Sequence, residues 1–226
     1  MRSILITGGA GYIGLHTSLF LLEEGYQIFI IDSFANSSYR SIERLLRISS
    51  NNKLFNSKQI EFFEGDIRDL DFIRKVFDKA IKLCKPIEAV VHFAGLKSVS
   101  ESISNPNLYW DVNVGGTNKL LKVMKEYNCN NLVFSSSATV YSPNEKSPLT
   151  EDSKLLPTDP YGETKLAVEN ILNESCNLES NFNTFSLRYF NPIGAHPSGE
   201  IGESPVKIPN NLFPYICEVA NSKQTV

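Results

Sequence analysis

Metal ligands and disulfide partners are scarce in this chain of 226 residues, which holds three histidines and four cysteines. His16, His92 and His196 lie far apart, as do Cys84, Cys129, Cys176 and Cys217, and no Cys-x-x-Cys pair occurs. That spacing argues against a structural zinc site and fits free thiols in a reducing cytosol, so no metal is expected. An excess of one charge is also lacking. The net charge is -3 with lysines scattered among carboxylates, which leaves no basic face for nucleic acid. No apolar run approaches membrane-spanning length, so no membrane partner is expected either. The N-terminus passes through the short run Ile4-Leu5-Ile6 straight into glycines. It has neither the long apolar core nor the cleavage site of a signal peptide, and a cytoplasmic location is expected.

What the chain does contain is a regular alternation. Short runs rich in Ile, Val and Phe occupy residues 3–7, 27–32, 59–64, 89–93, 131–136 and 182–189. They alternate only weakly between apolar and polar, as strands buried on both faces of a parallel sheet do. The intervening stretches are long enough for crossover helices, for example 69–83 and 107–127. The pattern predicts an α/β fold with a doubly wound, Rossmann-like parallel sheet and right-handed crossovers. Residues 49–53 and 196–209 read as loops.

Thr7-Gly8-Gly9-Ala10-Gly11-Tyr12-Ile13-Gly14 follows the first strand and opens a helix-period stretch. Glycines at 8, 11 and 14 let the backbone turn tightly and approach a pyrophosphate at the helix N-terminus. The strand before and the helix after supply the context that separates a dinucleotide site from an ordinary glycine-rich turn. Asp32 ends the second strand about 20 residues on, where a carboxylate binds adenosine ribose hydroxyls and repels a 2′-phosphate. NAD is therefore favoured over NADP, the other reading of Asp32 being a helix-capping or loop acid. Asp66 ends the third run, and Phe93-Ala94-Gly95-Leu96-Lys97 ends the fourth. Small residues there let a flat cofactor lie across the sheet edge, though each site alone reads equally well as a turn.

Tyr161-Gly162-Glu163-Thr164-Lys165 contains YxxxK, a weak signal by itself in a chain with nine tyrosines. Its context strengthens it. Thr158-Asp159-Pro160 reads as a helix start, which puts Tyr161 and Lys165 one turn apart on one face. A phenol with a pKa of about 10 is a poor base near neutrality. Bringing it down takes ~4 kcal/mol, about what one cation ~4 Å away contributes at an effective dielectric near 20. Lys165 is expected to supply that cation, helped by a positively charged nicotinamide ring. The serines of Phe134-Ser135-Ser136-Ser137 end the fifth run, where a hydroxyl can relay a substrate proton to Tyr161 or simply form a turn.

In this order the motifs resemble the UDP-glucose 4-epimerases of the extended short-chain dehydrogenase/reductase family. The carrying segments are TGGAGYIG (7–14), EGDIRD (64–69), VHFAGLKSVSES (91–102), FSSSATVY (134–141), PYGETKLAVE (160–169), LRYFNPIGAHPSGEIGE (187–203) and IPNNLFPY (208–215). The resemblance implies an isomerase with tightly held NAD, acting on UDP-glucose and UDP-galactose by transient oxidation at sugar C4. It implies Tyr161 as base, Lys165 as its electrostatic partner and Ser137 as the substrate-contacting serine. Around NAD it implies Gly8, Gly11, Tyr12, Ile13 and Gly14 at the turn, with Asp32, Asn36 and Ser37 after the second strand. Asp66, Ile67, Phe93, Ala94, Gly95, Lys97 and Phe190 complete that site, together with Tyr161 and Lys165. Lys97, Ser137, Tyr161, Asn191, Asn211 and Leu212 are implied at the sugar nucleotide. Residues 1–180 would form the NAD-binding domain, and 181–226 the start of a sugar-nucleotide-binding region lacking the family's C-terminal third. Leu15, Val112 and Ser142 depart from the family's usual Ser, Asn and Gly, and are expected to tune affinity. A related dehydratase would need an acid pair directly after the strand-five serine, where Ala138-Thr139 stands. A remnant that binds NAD without turnover is the other alternative. A homodimer is implied through helices at 107–127 and 160–174. Leu120, Leu121, Met124, Leu166, Val168 and Ile171 are available either to it or to the chain's own sheet.

Overall fold

Six parallel strands form one sheet in the order β3-β2-β1-β4-β5-β6. The computed structural model describes residues 2–51, 57–203 and 212–222. The strands are β1 (Ser3–Thr7), β2 (Gln27–Asp32), β3 (Ile60–Glu64), β4 (Ile87–His92), β5 (Asn131–Ser137) and β6 (Asn183–Tyr189). The helices are α1 (Tyr12–Glu23), α2 (Tyr39–Asn51), α3 (Leu70–Lys82), α4 (Val99–Ser104), α5 (Pro106–Tyr109), α6 (Gly116–Glu126), α7 (Pro160–Leu178) and α8 (Leu212–Ser222). The six expected strands are present, with ends moved by one or two residues.

Successive side chains of a strand point to opposite faces, and the central strands feed two cores. Leu5, Phe29 and Ile31 pack with α3, α6 and α7 through Ile73, Leu120 and Val168. Ile6, Ile28 and Ile30 pack on the other face with α1 and α2 through Leu15, Leu19, Ile42 and Leu45. Every residue of β2 is buried, which is why its sequence reads as a continuous apolar run. Leu120, Met124 and Val168 are thereby committed to the chain's own core.

Two expectations need correction. Residues 49–51 close α2 rather than forming a loop, and the Ser49 and Ser50 hydroxyls turn back onto the carbonyls of Leu46 (2.8 Å) and Arg47 (2.9 Å). Residues 52 and 53 lie outside the described residues. The single helix expected over 107–127 is interrupted by a π-helical turn, Trp110–Gly115, between α5 and α6.

The strand order reverses between β1 and β4, which run side by side with Thr7 opposite His92. Doubly wound sheets take ligands in the crevice beyond the C-terminal strand ends at such a reversal.

Candidate active site

The β1–α1 turn is shaped by close backbone approach. Gly8 has φ +68°, and a Cβ there would stand 2.6 Å from the Ala94 nitrogen. A Cβ on Gly14 would stand 2.4 Å from the Gly8 carbonyl oxygen. Only glycine lets the turn and the end of β4 come this near. Gly11 is the N-cap of α1 and no side chain caps the helix, so its first-turn N–H groups have no side-chain acceptor. Asp32 is buried at the end of β2. Its carboxylate accepts from the N–H of Ala10 (2.9 Å) and of Phe34 (2.9 Å) and from the Ser37 hydroxyl (2.8 Å). An uncapped helix start, glycines with no room for a side chain and an oriented acid fit a dinucleotide's pyrophosphate and ribose.

The other expected cofactor positions surround this turn. Ile13 is half-buried in the first turn of α1, and Asn36 is exposed after β2. The Tyr12 hydroxyl donates to the Gly194 carbonyl at 2.8 Å. Residues 194–203 fold back over α1, with Ile201 buried in the α1–α2 core and Glu200 paired with Arg47 at 3.2 Å. Lys97 is exposed and reaches Glu203 at 3.9 Å. Ile67 is buried against Gly116. Asp66 is gripped by Arg68 (2.7 Å), which also pairs with Asp111 (2.8 Å). The Arg68 guanidinium holds the Asp66 carboxyl below the usual range. Nothing in the sequence reading anticipated that clamp.

The second half of the site lies where β5 meets α7. The Asp159 carboxylate caps α7 by accepting from the Gly162 N–H at 2.9 Å, with Pro160 in the first turn. Tyr161 and Lys165 then lie on one face, both buried. The Ser137 hydroxyl lies close enough to the Tyr161 phenol to favour its ionised form. The Ser137 hydroxyl also accepts from the Thr139 hydroxyl at 3.0 Å. Lys165 donates to the Ser135 carbonyl at 2.8 Å, and its Nζ stands 5.7 Å from the centre of the Tyr161 ring. A Cβ on Gly95 would stand 3.7 Å from that Nζ, so this cluster lies against the segment that follows β4.

The electrostatics depart from expectation. Burial pushes the Tyr161 phenol up from its ordinary value, and nearby Asp159 adds to this while the Ser137 hydroxyl opposes it. The lowering expected from Lys165 does not arise from the protein's own groups. That amine is itself fully desolvated, which pulls its pKa down to about 8.

Asn113 was missed by sequence reasoning. Its side-chain carbonyl accepts from the Leu96 N–H (2.8 Å), and its amide donates to the Leu96 carbonyl (3.1 Å) and the Thr164 hydroxyl (3.0 Å). It thus ties the loop after β4 to α7. Of the expected substrate residues, Asn191 and Leu212 are exposed, and no hydrogen bond among the described residues ties either to the Ser137 cluster. Phe190 is exposed and stacks on Tyr141. Asn211 lies outside the described residues.

A doubly wound sheet with a glycine turn at its switch point, and a Ser-Tyr-Lys cluster one strand further along, defines a short-chain dehydrogenase/reductase architecture. The chain belongs to the family described as GDP-mannose 4,6 dehydratase, whose model matches residues 5–226. Within it the chain is similar to UDP-glucose 4-epimerases. It is 47% identical over 219 residues to UDP-glucose 4-epimerase 2 of Arabidopsis thaliana, a match covering 97% of this chain and 60% of that protein. The Bifidobacterium longum UDP-glucose 4-epimerase, solved in complex with NAD+ and UDP, superposes with a TM-score of 0.89 at 40% identity, covering 99% of this chain and 64% of that one. The Stenotrophomonas maltophila enzyme, solved with NAD and formylated UDP-arabinopyranose, gives 0.90 at 40% identity, covering 99% and 63%. The chain thus spans about three fifths of the length of the curated relatives it matches.

Proposed function

We propose that this chain carries the NAD site and the proton-transfer groups of a UDP-glucose 4-epimerase, which interconverts UDP-glucose and UDP-galactose. The observation that carries the reading is the meeting of Ser137, Tyr161 and Lys165 beside the crevice whose glycine turn and Asp32 fit NAD. Gly8, Gly11, Tyr12, Ile13 and Gly14 would face the pyrophosphate, and Asp32 with Ser37 the adenosine ribose. NAD, when bound, supplies the acceptor and donor for the hydride at sugar C4. Tyr161 takes the proton of the 4-hydroxyl and returns it, and Ser137 orients that hydroxyl. A phenol raised by burial serves well as the returning acid. As the outgoing base it needs positive charge, and Lys165 stands ready to provide it. Residues 1–180 hold these parts, and 181–226 begin the sugar-nucleotide side, joined to them by the pairing of β6 with β5. We read the enzyme as a cytoplasmic homodimer, in keeping with its free cysteines and with the exposed Ile103, Leu108 and Trp110 on α4, α5 and the π turn.

The family also contains dehydratases. Ala138-Thr139 after Ser137 lacks the acid pair their elimination requires, which favours epimerisation. The test is the NAD content of the purified chain and its conversion of UDP-galactose, beside Tyr161→Phe. Bound NAD with turnover that falls at least ~100-fold in the variant is expected. A folded chain that takes up no NAD overturns the reading, and bound NAD without turnover leaves the non-catalytic alternative.

A further inference from the structure

Two consecutive residues of β5 are held by two successive turns of α7, and a third lies beside the turn before them. The Ser135 carbonyl accepts from Lys165 and the Ser136 hydroxyl donates to Glu169, while Ser137 lies beside Tyr161. Residues 161, 165 and 169 are four apart and so share one helix face. Glu169 is 4% exposed. Its carboxylate is closed by Arg188 of β6, Nη2 to Oε2 at 2.8 Å and Nε to Oε1 at 3.1 Å. Arg188 is the register partner of Ser136. Its Nη1 also donates to the Tyr141 hydroxyl (3.0 Å) and the Glu151 carbonyl (3.1 Å). One guanidinium therefore joins α7, β6 and the excursion that follows β5.

Stability alone does not account for this pair. Desolvation offsets most of the attraction in a buried ion pair, and apolar residues of the same volume serve as well. What apolar packing cannot supply is axial register. A two-pronged fork fixes both distance and orientation between its elements. Sliding α7 along β5 would break the Lys165–Ser135 bond and carry Tyr161 away from Ser137.

We propose that Glu169 and Arg188 are positioning residues for the proton-transfer cluster, holding α7 at the register along β5 where Tyr161 meets Ser137 and Lys165 meets Ser135. For its chemistry the inference rests on the epimerase reading. The groups facing Tyr161 are Ser137 from β5, Asp159 from the cap, Lys165 from its own helix, and Tyr109 from α5 with Glu101 bonded behind it. Glu169 bonds none of the phenol's atoms, so its influence on Tyr161 passes through the register.

The test compares Glu169→Gln and Arg188→Lys with Val168→Ala, a buried neighbour on the same helix that reports loss of packing alone. In the two register variants kcat falls roughly 10- to 100-fold with KM little changed. The double variant is no worse than the poorer single one, as for two members of one unit. NMR titration of isotope-labelled tyrosine, with Tyr161 assigned by Tyr161→Phe, shows its midpoint rising as Tyr161 moves away from Ser137. Val168→Ala lowers thermal stability without moving that midpoint. Register variants that lose stability as Val168→Ala does, yet keep both kcat and the midpoint, overturn the proposal. If one register variant fails to fold, the other decides. The midpoint needs no turnover, so it tests the register even where loss of NAD binding has sunk the epimerase reading.

Discussion

His92 shows how a residue that looks chemical can be wholly structural. It is fully buried in β4 between the Thr7 hydroxyl (2.6 Å) and the Thr117 hydroxyl (2.9 Å). Burial, aided by the nearby Lys165 charge, pulls its pKa from 6.5 down to about 3. Below 6.5 the unfolded chain binds a proton that the folded chain refuses, so this residue costs stability progressively as pH falls toward about 3. A His92→Gln variant should be less stable at neutral pH yet lose stability less steeply across that window. Denaturant melts at a series of pH values measure both slopes, and parallel slopes would count against a buried neutral imidazole. Its packing role was legible from its place inside an apolar run. The partners were not, because Thr7 and Thr117 lie 85 and 25 residues away.

At the scale of the element, α7 decides the site. Its start is written locally: Asp159 caps it and Pro160 suits its first turn. Asp159 also carries charge toward Tyr161 and raises its pKa. The two effects separate by substitution. Asp159→Ser keeps a capping oxygen and removes the charge, so the Tyr161 midpoint should fall with thermal stability nearly intact. Asp159→Ala also loses the cap, at about 1 kcal/mol, or roughly 2–4 °C in Tm for a chain of this size. Calorimetry beside the tyrosine titration resolves the two. The buried face of α7 was readable as far as Lys165. Glu169 continues the same spacing, and a carboxylate on a buried face is the signal that was passed over. The π turn was not readable. Its wider winding places Asn113, rather than its neighbour Val112, between Leu96 and Thr164.

For the whole molecule, the order β3-β2-β1-β4-β5-β6 brings the β1 glycine turn and the β4 end together, with the β5–α7 cluster beside them. The fold also settles where several apolar side chains go. Leu120, Met124 and Val168 fill the core, which leaves half-buried Leu166 and Ile171 and the exposed Ile103, Leu108 and Trp110 for a dimer contact. A stable partner contact buries about 1,600 Å² in all, and a Trp110→Glu charge there should shift the solution mass from dimer to monomer. A mass of one chain for the unaltered protein would remove the dimer from the reading.

The sequence by itself determined the strands, the glycine turn, the acid at the end of β2 and the spacing of Tyr161 and Lys165. Each of these is a local matter of side-chain period, backbone freedom or helix geometry. Only the tertiary structure decided the contacts between distant segments: the grip of Arg68 on Asp66 and Asp111, the closure of residues 194–203 over α1, and the fork of Arg188 on Glu169. It also decided the sign of the Tyr161 shift. Desolvation depends on everything packed around a group, and no spacing along the chain records how much water that packing removes.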